Sequence, residues 1–145
     1  MENKKVVGAL NDLLIYLHDS RNGFRESAEL MKDSGLRNLF ESLNTQRQAM
    51  ITQLQGKVRA LESTPVERGS FLAAAHRAYL DLKSLLTGGD KQAIIDEIHR
   101  GEETLISAYH EILKQDLPAD IEAILQEQLN SIKENLHRVE RVALA

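Results

Sequence analysis

The chain of 145 residues contains no cysteine, which removes disulfides, thiolate nucleophiles and thiolate-ligated zinc or iron-sulfur centres from consideration. It has no tryptophan, only two prolines, and an aromatic content of 4%. So little proline and so few aromatics disfavour a turn-rich all-β fold, and no segment alternates apolar and polar residues as a half-buried strand would. No apolar run approaches the roughly 18 residues that a membrane-spanning helix requires. The opening MENKKVVGAL lacks a signal-peptide core, so a cytoplasmic location is expected. Excess charge of one sign is also missing: the net charge is -4 with acids and bases interspersed, an arrangement that disfavours a phosphate-tracking stripe for nucleic acid. No membrane or nucleic-acid partner is expected.

What is abundant is Leu, Ala, Glu, Gln and Lys, the residues that lose least on entering a helix. The length suits a single domain, 1–145, large enough to bury a core unaided. Apolar residues recur at helical spacing in four long segments. Near 3–32 the stripe is Val6, Leu10, Leu14, Leu17, Phe24, Ala28 and Met31, with Arg21 upon it. Near 35–62 it is Leu36, Leu39, Phe40, Leu43, Met50, Leu54, Val58 and Leu61, with Gln46 and Arg47 interrupting. Near 90–115 Glu102 stands among Ile94, Ile98, Leu105, Tyr109 and Ile112. Near 118–143 the stripe is Ile121, Leu125, Leu129, Ile132, Leu136 and Val139, bordered by Gln128 and Asn135.

The first two segments are separated only by Asp33-Ser34-Gly35, so they form an antiparallel hairpin with Asp33 or Ser34 as N-cap. Between the second and third lie about 25 residues. Thr64-Pro65-Val66-Glu67 fits a capping box with proline at the first helical position. A shorter amphipathic segment, SFLAAAHRAYLDLKSLL, follows it. Such a crossover makes helices two and three parallel, and Leu117-Pro118 starts the last helix. The expected fold is an all-α four-helix bundle with a helix-containing crossover.

With a rise of 1.5 Å per residue, the first hairpin sets Arg21 opposite about residue 48, the parallel pair sets Arg47 near residue 101, and the second hairpin sets Glu102 opposite about residue 131. Arg21, Arg47 and Glu102 are therefore expected at one level, flanked by Gln46, Gln128 and Asn135. Two readings of that layer follow from its charge. It is either an ion-pair and amide network that fixes helix register, or a pocket for a small anion, since two guanidinium groups against one carboxylate leave a cation over.

The hairpin, the crossover AAAHRAYLDLKSLLTGGD with its junction at 85–90, the Arg100-Gly101-Glu102 turn and QDLPADIEAILQEQ resemble a bacterial ferritin-like, rubrerythrin-type four-helix-bundle family of unknown function, along almost the whole chain. The resemblance implies that fold and no established reaction; a stress-related role is expected from it by analogy alone. Di-iron members of such folds take a Glu from each of two helices and Glu-x-x-His from the other two. Glu102 matches the third-helix carboxylate, and Glu134-Asn135-Leu136-His137 matches the last-helix motif by letters, yet Glu134 and His137 point away from the apolar stripe. Helix two offers no histidine, and Arg21 stands where a ligand would project. The expectation is a non-enzymatic bundle without cofactor. The alternative is an iron or manganese site using Glu102, His99, Glu134 and His137, the last swung inward by a π-bulge.

Of the remaining histidines, His18, His76 and His110 read as solvated or boundary residues. Ile15 and Tyr16 lie on the outer side of the first helix, so either the crossover or a second copy in a homodimer is expected to cover them.

Overall fold

The computed structural model describes residues 2–69 and 91–144. Within them the chain forms four helices: α1 (Asn3–Leu30), α2 (Ser34–Ala60), α3 (Lys91–Leu113) and α4 (Ala119–Leu144). There is no strand among the described residues. The expected all-α four-helix bundle is the fold observed, with helix limits within a few residues of those read from the apolar spacing. The amphipathic segment from Ser70 and the 85–90 junction lie outside the described residues.

Each helix packs against two neighbours, in the ring order α1, α2, α4, α3, while the backbones of the diagonal pairs stay apart. Cross-helix bonds give the directions. Only residues 31–33 separate α1 from α2, so α2 folds back along α1 and Ser20 meets Arg47; Lys57 meets Asp120 and Met50 meets Gln128; Tyr109 meets Gln128 and His99 meets Glu140. Ser20 also meets Glu102, and Asp33 meets Lys91. Neighbours are thus antiparallel, and the diagonal helices α2 and α3 run parallel, as the length of the crossover requires.

Local chemistry sets the ends. The Asp33 carboxylate accepts the Leu36 amide at 3.0 Å, capping α2, and reaches Lys91 Nζ at 3.4 Å. α2 closes with a Schellman arrangement, in which the Ser63 amide bonds the Val58 carbonyl and the Glu62 amide bonds that of Arg59. Glu62 therefore sits at φ 59°, a left-handed conformation that suits glycine and carries a penalty for a side chain.

Beyond it the expected helix starting at Pro65 does not form: residues 64–69 are non-helical. The Val66 backbone is bound to side chains instead. Its amide donates to Asn11 Oδ1 at 2.9 Å and its carbonyl accepts from His18 Nε2 at 3.3 Å and Gln55 Nε2 at 3.4 Å. Those bonds lay the outgoing chain along the outer side of α1, as far as Gly69 beside Asp19. They also correct the surface reading of His18, which is 2% exposed.

The core is divided. One apolar cluster gathers Leu10, Leu14, Leu54, Tyr109, Leu125 and their neighbours. A second gathers Phe24, Leu36, Phe40, Ile94, Val139 and their neighbours. Inward-facing polar residues fill the level between the two.

Two tests follow from the outgoing chain. Replacing Glu62 with glycine is expected to stabilise the fold by roughly 0.5–1 kcal/mol, relief of the left-handed penalty being partly offset by the flexible unfolded chain; a urea titration that shows no gain contradicts this. For His18, burial foremost holds the imidazole below its ordinary value of 6.5. With Nε2–H on the Val66 carbonyl, Nδ1 is buried with no partner, so protonation there finds no acceptor. The unfolded chain then takes up a proton first as pH falls. Stability is therefore full above about pH 6.5 and declines below it until the folded-state value is passed. Urea unfolding between pH 5 and 8 should show this slope for the wild type and a flatter one for His18→Phe.

Candidate functional site

Between the two apolar clusters the long side chain of Arg47 crosses the bundle interior from α2 to the diagonal helix α3. Its Nη2 donates to Glu102 Oε2 at 2.5 Å, and its Nε donates to Ser20 Oγ at 3.1 Å. Ser20 Oγ in turn donates to Glu102 Oε1 at 2.7 Å. The three groups close a ring of bonds drawn from three helices. Arg47 is 0% exposed and Glu102 3%, so the pair is withdrawn from water.

Apolar neighbours hold the guanidinium in place. It lies 5.3 Å from the centre of the Phe24 ring, a cation–π contact, and its Nη1 approaches Met50 Sδ at 4.0 Å. Phe24 belongs to one apolar cluster and Met50 to the other, so the arginine joins both halves of the core.

At the same height, on the α2–α4 seam, the Asn135 side-chain amide donates to Gln46 Oε1. Gln128 does not join this layer. It sits seven residues nearer the start of α4, about 10 Å away along the helix. Its Oε1 accepts the Tyr109 hydroxyl at 2.7 Å, and its amide donates to Gln53 Oε1 at 2.9 Å and to the Met50 carbonyl at 3.5 Å. Burial foremost pushes the Tyr109 phenol well above its ordinary value, so the hydroxyl stays a donor.

The expected height of α4 was one turn off. Pairing Tyr109 with Gln128 and His99 with Glu140 puts Glu102 level with residues 135–137 rather than 131.

Arg21 is not in the layer either. Its Nη1 donates to Gln48 Oε1 at 2.6 Å and its Nη2 to Asn22 Oδ1 at 3.1 Å, on the outer seam between α1 and α2. Ser20 and Arg21 flank the centre of the α1 apolar stripe on opposite sides. The short hydroxyl on the α3 side reaches the interior, while the long arginine extends its charged end toward water. The sequence reading passed over Ser20. Its signal was its position one residue before Arg21, on the side of the stripe that turns to α3.

The four residues of the metal alternative are dispersed. Glu102 is bound to Arg47 and Ser20. His99 is half-buried at the α3–α4 seam, 3.3 Å from Glu140 and 3.6 Å from Glu103. Glu134 and His137 are exposed, Glu134 bonding Arg141 at 3.1 Å and His137 lying 3.7 Å from Glu140. No π-helix occurs among the described residues to turn His137 inward. Among those residues no group of three or more His, Asp or Glu side chains is arranged to hold a metal, and the guanidinium beside Glu102 opposes a dication there. Ile15 is half-buried and Tyr16 is 39% exposed. Among the described residues no helix is long and apolar enough to cross a membrane.

Residues 5–115 match the family described as Domain of unknown function (DUF2383). No curated protein sequence matches the chain. Among solved structures, the chain is similar to the crystal structure of a conserved hypothetical protein, rv2844, from Mycobacterium tuberculosis. The TM-score is 0.71 at 16% identity, over 99% of this chain and 94% of that one. At that identity the likeness speaks for the shared fold alone.

The buried pair makes a stability prediction. Removing one partner, as in Arg47→Met or Glu102→Leu alone, strands a charge in the interior and should cost about 3–5 kcal/mol. The double variant, with an apolar core in place of the pair, should recover most of that loss. A denaturant-unfolding cycle in which the two single costs simply add contradicts the coupling.

Proposed function

The chain belongs to the DUF2383 family, and from that premise we propose that it is a non-enzymatic helical bundle with a structural or interaction role. In this reading the Arg47–Ser20–Glu102 layer stands where a ferritin-like relative would hold metal. The observation that carries it is the internal balance of that layer. One guanidinium meets one carboxylate, both withdrawn from water, and a hydroxyl bonds the two. A buried group whose charge is already matched has no need of a substrate or ion to complete it.

An acid-base or hydrolytic site would instead need a titratable group free to exchange protons and open to substrate. Glu102 is closed off by Arg47 and Ser20. The metal reading needs several inward carboxylates or imidazoles, whereas Glu102 is the inward member of its set and His99, Glu134 and His137 are at or near the surface. The anion reading of the same layer required Arg21 beside Arg47 to leave a cation over, and the separation of the two arginines removes that surplus. The link to stress rests on the ferritin-like resemblance alone.

Aerobic loading of the untagged protein with iron or manganese, followed by desalting and elemental analysis, tests the proposal. The expected result is far less than one metal ion per chain and an unchanged melting temperature. Stoichiometric metal that is retained by the wild type and lost in Glu102→Gln overturns it.

A further inference from the structure

The arginine that leaves the interior layer enters a second, differently built feature. On the outer seam of α1 and α2 a groove of about 390 Å³ is lined by Arg21, Arg25, Asn44, Thr45 and Gln48. Arg21 and Arg25 are one helical turn apart on α1, so their guanidinium groups project along the same side.

Among the described residues no carboxylate matches the charge of the two. Both acceptors of Arg21 are neutral amide oxygens, those of Gln48 and Asn22. Its Nε is buried and has no hydrogen-bond partner among the described residues, a donor withdrawn from water without compensation. Among the described residues neither arginine forms an ion pair with a carboxylate. Burial, and after it the neighbouring charge of Arg25, hold Arg21 below the usual arginine range. Burial and a like charge both disfavour the charged form, and an anion would relieve them. The opposite wall, formed by Asn44, Thr45 and Gln48 of α2, carries side chains able to donate or accept hydrogen bonds.

We infer that this groove is an anion site for a phosphate group, with Arg21 and Arg25 as its charged contacts and Asn44 and Thr45 as its polar wall. Two guanidinium groups match the charge of a phosphate dianion, and their planar forks suit its oxygens. The volume exceeds that of a bare phosphate ion, which leaves room for the organic part of a small phosphate monoester. The site is separate from the Arg47–Glu102 layer, and its success or failure is independent of the structural reading of that layer.

The test is calorimetric titration of the full chain with inorganic phosphate and, separately, glycerol phosphate, with ionic strength held constant by sodium chloride, alongside the melting temperature at each concentration. Saturable binding is expected, weakened at least tenfold in Arg25→Gln. Because Arg25 is exposed, that variant should melt like the wild type without phosphate, so lost binding is not lost folding. Arg21→Gln should weaken binding at least as much. Glycerol phosphate binding more tightly than phosphate assigns the site to monoesters, and equal binding assigns it to the free ion; either outcome upholds the site. No saturable binding of either compound, or binding unchanged in Arg25→Gln, overturns it.

Discussion

The bundle depends most on one ion pair held out of water. Bringing a guanidinium and a carboxylate into the interior costs several kcal/mol per charge, and their attraction offsets this only if geometry and further hydrogen bonds are good. Here Nη2 and Oε2 are 2.5 Å apart, Ser20 bonds both partners, and Phe24 and Met50 occupy other sides of the guanidinium. Such a pair adds little net stability compared with well-packed leucines. What it adds is a strong dependence on position. Moving one helix by a turn, about 5.4 Å, would leave two bare charges in a low-dielectric core.

That dependence acts on the whole fold because Arg47 and Glu102 lie on diagonal helices. The backbones of α2 and α3 are not in contact, so the pair must span the centre of the bundle, and Ser20 brings in α1. Apolar stripes alone specify height weakly, since leucines repeating every three or four residues can interdigitate at more than one offset. The layer between the two apolar clusters breaks that degeneracy, and the Gln46–Asn135 bond extends it to α4. All four helices thus meet polar partners at one level.

Much of this was legible in the sequence, and the misses have particular causes. Arg47 and Glu102 were recognisable because each breaks an apolar stripe at the phase of its neighbours, and the parallel pairing of their helices gave matching heights. Arg21 shares that phase only approximately, and a side chain so long can carry its charge back to the surface; phase fixes where Cβ points and not where the guanidinium ends. Ser20 was missed for the opposite reason, being too small to register as an interruption. Gln128 was set a layer too high because the midpoint of a helical hairpin depends on how many residues its turn consumes, which periodicity does not measure. His18 was misjudged because its cover comes from Val66, 48 residues away, through a backbone interaction that no local pattern announces.

A guanidinium at the centre of a bundle asks less of its surroundings than a dication would. A bundle held by a dication among inward carboxylates is complete only while the ion is bound, since those carboxylates repel one another when it leaves. Arg47 puts a single positive charge at the centre as part of the chain itself, and one carboxylate suffices to match it. Further inward acids would then carry unmatched charge, which accounts for amides and a hydroxyl beside the pair. The composition of the layer, with Ser20, Gln46 and Asn135 around the two ions, follows from the choice of arginine at its centre.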